Sequence, residues 1–258
     1  MSPDRSPKWP LAIMTLLWAA PALVAAQADE IQVYDAGLAP VGVFNLTWHN
    51  NYTPDGHTAP AFPGGVVSDR AIVGVTEWAY GATDWFEAGL YLPLYSFNDG
   101  EGGGINGFKL RTLFAVPNAG DRTFFYGVGF ELGFNAHRWE PERVSSEIRP
   151  ILGVHLDALD VVMNPILDTD YEGGIGDLVF APSSRIAYNL SPTWAIAAEE
   201  YADLGTLNDL SVGSEGSHQL YGVVDYVGAL EVEAGAGFGL TDAADEFTLK
   251  LILAHDLN

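Results

Sequence analysis

From Phe124 to His137 the chain repeats a two-residue unit. Phe124, Tyr126, Val128, Phe130, Leu132 and Phe134 share one parity; Gly127, Gly129, Glu131, Gly133, Asn135 and His137 share the other. Successive side chains of a strand point to opposite faces, so this period specifies a strand with two unlike sides. The pattern recurs. Phe86, Ala88, Leu90, Leu92 and Leu94 oppose Glu87, Tyr91 and Tyr95. Phe108, Leu110, Phe114 and Val116 oppose Lys109 and Arg111, and Leu230 to Leu240 oppose Glu231, Glu233 and three glycines. Phe247, Leu249, Leu251 and Leu253 alternate with Thr248, Lys250, Ile252 and Ala254.

A soluble sandwich also alternates, so period alone does not say whether the apolar face meets a core or lipid. Strand length helps. These segments run to roughly 10–14 residues, against about 5–6 in ordinary globular sheets, and a tilted membrane-crossing strand needs about 9–11. No helical segment or opposing apolar sheet is apparent to cover so much apolar surface. A closed barrel is the one all-β arrangement that leaves no unpaired backbone in hydrocarbon.

The first residues read differently. Arg5 and Lys8 precede an apolar run from Leu11 to Ala26, ending in Ala26-Gln27-Ala28. A basic start, a short apolar stretch and an A-x-A site form a secretory signal peptide, so residues 1–28 are expected to be removed and 29–258 to form one barrel domain. Removing Arg5, Lys8 and Asp4 from 11 basic and 34 acidic residues leaves 9 and 33, a net charge of −24. Phosphate binding needs clustered Lys and Arg, so nucleic acid is not an expected partner. With no cysteine the secreted chain holds itself by packing and hydrogen bonds alone.

Twelve strands are predicted, at 41–52, 71–82, 85–95, 105–116, 123–137, 147–158, 161–168, 175–190, 193–202, 217–227, 229–240 and 246–257. Pro150 and Pro165 interrupt the sixth and seventh, which keeps ten and fourteen strands as alternatives. Connections alternate between long, polar, Gly/Pro-rich loops such as TPDGHTAPAFPGGVVSDR and short turns such as TD, SP and one near Asp160. That alternation fits an all-β, transmembrane, antiparallel up-and-down β-barrel of about 12 strands, with long external loops and short periplasmic turns. Phe44, Leu46, Trp48, Phe86, Phe108, Phe124, Tyr126, Tyr188, Trp194 and Tyr226 are expected to face lipid, many at the aromatic girdles. Glu87, Tyr91, Lys109, Arg111, Glu131, His137, Arg149, Asp157, Asp177, Arg185, Glu199, Asp225, Glu231, Glu233 and Lys250 are expected to line the lumen. Tyr95, Tyr201 and Tyr221 add aromatic stations there.

Other chemistry is not supported by the spacing. Asp168-Thr-Asp170-Tyr-Glu172-Gly173 opens like a calcium loop but has Val179 at the twelfth position, where Glu is needed. Gly102-Gly103-Gly104 lacks the frame of a phosphate cradle. The six histidines show no metal-ligand spacing, and no cofactor is expected. No G-x-S-x-G occurs, and adjacent Ser217 and His218 point to opposite faces, so no enzyme activity is expected.

The stretches GATDWFEAGLYLPL, GIGDL at 174–178, RIAYNLSPTWAIAAEEY and GLTDAADEFTLKLILAHDL together resemble a family of outer-membrane barrels. It is named for the meta-cleavage pathway of phenol degradation, and its members are taken to be transporters. The resemblance covers most of 71–257 and implies transport, of hydrophobic or aromatic compounds. Together with the strand pattern and the leader, the expectation is a monomeric barrel in the bacterial outer membrane that passes small solutes passively. Its partners would be outer-membrane lipid, the solute and the barrel-assembly machinery. The chain departs from barrels generally in ending Leu257-Asn258 rather than on an aromatic residue. A sealed barrel acting through its external loops and a lipid-modifying enzyme are the competing readings.

Overall fold

The computed structural model describes residues 29–258 apart from Glu101 and Val212, and without the side chain of Ser214; the expected signal peptide lies outside the described residues. One antiparallel sheet dominates. Its strands are β1 (Phe44–Asp55), β2 (Ala71–Thr83), β3 (Phe86–Asn98), β4 (Gly102–Ala115), β5 (Phe124–Asn135), β6 (Val144–Leu156), β7 (Leu159–Asn164), β8 (Leu167–Thr169), β9 (Val179–Phe180) and β10 (Ser183–Asn189). They are followed by β11 (Trp194–Asp203), β12 (Gly205–Thr206), β13 (Asp209–Leu210), β14 (Ser217–Tyr226), β15 (Glu231–Gly239) and β16 (Phe247–Asp256). β1 to β7, β10, β11 and β14 to β16 form a closed twelve-stranded barrel, each strand paired with its neighbour. The seam closes where β1 meets β16, Asn45 opposite Asp256 and Trp48 opposite Leu253.

Alternation in the sequence becomes inside and outside in the barrel. Phe44, Trp48, Phe124, Tyr126, Tyr188, Trp194 and Tyr226 are exposed on the outer wall, while Thr47, His49, Asn51 and Thr53 of β1 are buried within. This is the reverse of a soluble core and the arrangement required of a wall bathed in hydrocarbon.

The structure departs from the predicted pattern in three places. In β3 two residues, Leu92 and Pro93, stand between the pairs Tyr91↔Lys109 and Leu94↔Gly107, against the single Phe108 of β4. A bulge of this kind shifts every later residue to the other face. Leu94 is therefore buried inside and Tyr95 lies outside, where its hydroxyl bonds Asn50 and accepts from Trp48 Nε1 at 2.8 Å. Second, β3 and β4 run on through most of the predicted FNDGEGGGIN loop, pairing as far as Asn98↔Gly102. Third, the predicted strands 161–168 and 175–190 are broken. The first divides into β7 and β8 around Pro165, and the second into β9 and β10 around Pro182.

Pro150 itself stays inside β6, opposite Val128. The registers Leu152↔Met163 and Ile148↔Leu167 set it opposite Pro165, and Asn164↔Ser183 with Leu167↔Phe180 set Pro165 opposite Pro182. Three prolines thus stand in a row across adjacent strands. Successive residues of a strand bond to opposite neighbours. His155 N donates to Thr123 O of the β5 side and Ala181 N to Ile166 O, so Pro150 and Pro165 turn their nitrogens toward each other. Neither carries a proton, and the two ladder bonds between them are missing. Pro182 likewise accepts from Ala202 N but returns nothing.

The lumen is not empty. Residues 29–39 enter it as an extended strap whose Asp29, Glu30, Ile31, Val33, Tyr34 and Ala36 are all buried. The strap leaves at the short-turn end, where Gly42 N donates to Gly81 O at 2.7 Å before β1 begins. A Cβ at Gly81 would lie 2.2 Å from Ala39 O and 2.4 Å from Pro40 O, so only glycine lets the strap root cross β2 so closely.

Candidate functional site: the lumen and its strap

The strap is held by side chains of the wall rather than by a ladder. Asn164 grips its backbone twice: Tyr34 N donates to Asn164 Oδ1 at 2.7 Å, and Asn164 Nδ2 donates to Tyr34 O at 3.0 Å. Lys250 Nζ donates to Ile31 O at 3.2 Å, Arg149 Nη1 to Gln32 O at 3.3 Å, and Ala39 N to Glu87 Oε2 at 2.6 Å. These bonds satisfy backbone groups that would otherwise be buried without partners. Between them Ile31, Val33 and Tyr34 pack into an apolar cluster with Leu113, Phe125, Ile151, Val162 and Val223.

Three ionic groups surround that cluster. In the first, Arg111 bonds both Glu77 and Glu87, and His49 Nε2 stands 3.3 Å from Glu77. The Tyr34 and Tyr91 hydroxyls touch beside it, and the Arg111 guanidinium lies 5.3 Å from the Tyr34 ring centre. In the second, Arg185 and Lys250 share Glu199, Asp225 and Glu233, and Tyr201 OH donates to Glu199 Oε2 at 2.7 Å. In the third, Lys109 pairs with Asp29 of the strap at 2.6 Å and Glu131 at 3.5 Å, and Arg149 with Glu147 at 2.6 Å and Glu30 at 3.9 Å. Arg149 also lies over Tyr34, 4.3 Å from its ring centre. Charges buried this deeply persist only when paired.

Most residues named from the sequence for the lumen meet in these groups. Glu87, Tyr91, Arg111, Glu131, Arg149, Glu199 and Lys250 are buried, and Lys109, Arg185, Asp225 and Glu233 are largely so. Glu231 sits at the mouth of the short-turn end. Three residues lie outside the lumen. His137 lies exposed beyond β5, its Nδ1 3.0 Å from Pro141 O. Asp157 forms the β6–β7 turn with a φ of 55°, in place of the turn predicted near Asp160. Asp177 is in the 3-10 turn Ile175–Asp177, accepting from Gly174 N at 2.7 Å. In each, strand parity was extended past the point where the strand stops.

Glu77, Glu147 and the strap acids were missed. The inward face of β2 carries Ala71, Val73, Val75 and Ala79 around Glu77, so no contrast between faces marks it. Residues 29–34 do offer a short signal, Glu30 and Gln32 alternating with Ile31 and Val33 ahead of the first strand.

The two ends of the lumen differ. At the short-turn end a cavity of about 620 Å³ opens between the strap and the wall, lined by Asp35, Asp160, Glu231 and Asp256 among others. The other end is covered. Trp139 packs on Val75, Tyr91 and Leu94, and Val66 N of the first loop donates to Arg138 O at 2.9 Å. His57 N donates to Ser68 Oγ at 3.0 Å and to Asp245 Oδ1 at 2.9 Å, tying the first loop to the last. The His57 ring meets Ala243 O and Ser68 donates to Asp245, so this trio is a staple with no serine–imidazole bond. The connection between β11 and β14 extends the wall, β12 pairing with β9 and β13. In the 136–143 loop, burial pushes the Glu140 carboxyl above the ordinary range, with Lys109 acting in the opposite direction.

No protein-family model and no curated protein sequence matches the chain. Solved structures do. The COG4313 outer membrane channel from Pseudomonas putida F1 superposes with a TM-score of 0.59 at 14% identity, covering 88% of this chain and 100% of that one. The KdgM porin gives 0.54 at 9% identity, covering 83% and 99%. The chain has the fold of an outer-membrane barrel. At these identities the likeness establishes the fold and leaves the solute open.

Proposed function

We propose that this protein is an outer-membrane channel for passive passage of small solutes, closed at rest by its own residues 29–39. One observation carries the reading. A complete barrel surrounds a polar lumen, and the segment obstructing it is fixed by side-chain bonds at Asn164, Arg149, Lys250 and Glu87 rather than by strand pairing. Such bonds can be exchanged for water without opening the wall. Twelve strands enclose more room than a side-chain-filled barrel of eight and less than a wide porin. Displacing the strap would expose Tyr91, Tyr201, Tyr221 and Phe125 together with the ionic groups. That surface suits small hydrophobic or aromatic compounds, the class implied by the resemblance to the phenol-degradation family.

A sealed barrel acting through its loops is the second reading, favoured by the close packing of the strap against Ile151, Val162 and Phe125. Planar-bilayer recording separates the two. The full chain is expected to show small, intermittent conductance, and a chain lacking residues 29–39 a conductance several-fold larger and sustained. Liposome uptake should rank phenols above sugars of similar size. Absence of conductance and of solute flux from both proteins would establish the sealed barrel.

A further inference from the structure

The group around Lys109 and Arg149 is unbalanced. Asp29, Glu30, Glu131 and Glu147 share two cations, leaving two negative charges in excess inside the barrel. Asp168 of β8 stands directly opposite Glu147. Glu30 is 1% exposed and neither of its carboxylate oxygens has a hydrogen-bond partner, and Glu131, 6% exposed, has none at Oε1. Buried carboxylate oxygens without donors mark a place for a further donor bearing positive charge. No group of three or more His, Asp or Glu among the described residues is arranged to hold a metal ion. Asp29, the first residue after the expected cut, brings its own carboxylate into this cluster at Lys109, which ties its backbone nitrogen to the same neighbourhood by the bonds of one residue.

We infer that the chain is cut between Ala28 and Asp29, and that the α-ammonium so created is the third cation of this buried group. The inference rests on reading residues 1–28 as a secretion leader. Water adds across the Ala28–Asp29 bond in a leader endopeptidase. The carbonyl carbon leaves as the Ala28 carboxylate, and the nitrogen stays on Asp29 and takes up a proton. An uncut chain offers a neutral amide at that point and leaves the acids unmatched. Cleavage thus converts the first strap residue into an internal ligand for Glu30 and Glu131, and seating of the strap depends on where the cut falls.

The lysine count makes this testable. Past residue 28 the lysines are Lys109 and Lys250, both inside the barrel. Outer membranes containing the protein expressed with its leader are treated with acetic anhydride near neutral pH, then with hydroxylamine to clear tyrosine esters. Folding is confirmed by heat-shifted gel mobility, and intact mass is read. The expected folded chain begins at Asp29 and carries no acetyl group, whereas the urea-unfolded chain carries three. A chain with Ser-Gly inserted between Ala28 and Asp29 should fold and gain one acetyl on its displaced amine. A retained leader, a start at another residue, an acetyl on the Asp29 amine of the folded chain, or protection of the Ser-Gly chain would each overturn the inference. Bilayer conductance of the same preparations tests the channel reading separately.

Discussion

The middle of the lumen and its short-turn end are built from the same residue types and behave as opposites. In the middle, Glu77, Glu87 and Glu199 each meet an arginine or lysine, and the strap packs Ile31, Val33 and Tyr34 among them. At the turn end Asp35, Glu231 and Asp256 face a cavity of about 620 Å³. Among the described residues the turn-end acids have no arginine or lysine partner, whereas the acids beneath the strap are matched by cations from neighbouring strands. The difference teaches that the strap, rather than the wall, fills the middle of the lumen. It turns a hydrated polar lumen into a packed interior.

The largest effect should come from unpairing the middle. Arg111→Met strands Glu77 and Glu87 and is expected to cost about 3–5 kcal/mol, read as a lower urea midpoint for the folded barrel in lipid. Asn164→Ala leaves the ionic groups intact and removes both bonds to the Tyr34 backbone. A loss of about 1–3 kcal/mol should raise the open fraction in bilayer recordings roughly 5- to 150-fold, with the barrel's unfolding hardly altered. If Asn164→Ala destabilises the barrel without opening it, the strap and wall form one unit and the comparison fails. Pro182→Ala restores a donor facing Ala202 O and should stabilise the barrel by about 0.5–1.5 kcal/mol, seen as slower amide exchange in β10 and β11. Glu231→Gln with Asp256→Asn should leave stability within about 0.5 kcal/mol and change reversal potentials only modestly, since these groups are hydrated. Glu140 supplies the pH dependence. Its raised pKa means that the folded loop favours the protonated acid, so this contribution is present in acid and fades as pH rises through the shifted value. Proteolysis of the 136–143 loop should therefore quicken with pH, and Glu140→Gln should flatten that dependence.

Strands were legible in the sequence because lipid and lumen impose contrasting chemistry on alternate residues, as β5 and β16 show. Where the contrast vanishes, legibility goes with it. β2 buries valines and alanines beside Glu77, and a periodic reading passes over that acid. The exchange of Leu94 and Tyr95 was hidden because an extra residue beside Pro93 reverses parity without altering composition. The break at Pro165 was legible from the proline itself, whereas the persistence of β6 through Pro150 and the break at Pro182 depend on which strands lie side by side, a fact of register that one segment does not contain. The strap was hidden for a different reason. Its bonds run from backbone to wall side chains over separations such as 130 residues, and no local pattern encodes a partner so distant.

The strap root at Gly81 has a consequence for time as well as space. Because residues 29–39 continue directly into β1, a released strap cannot diffuse away. It stays tethered at a local concentration on the order of millimolar. In the proposed channel, reclosure is then a unimolecular event, indifferent to how many copies the membrane holds and to any soluble competitor weaker than that concentration. Each barrel keeps its own timer.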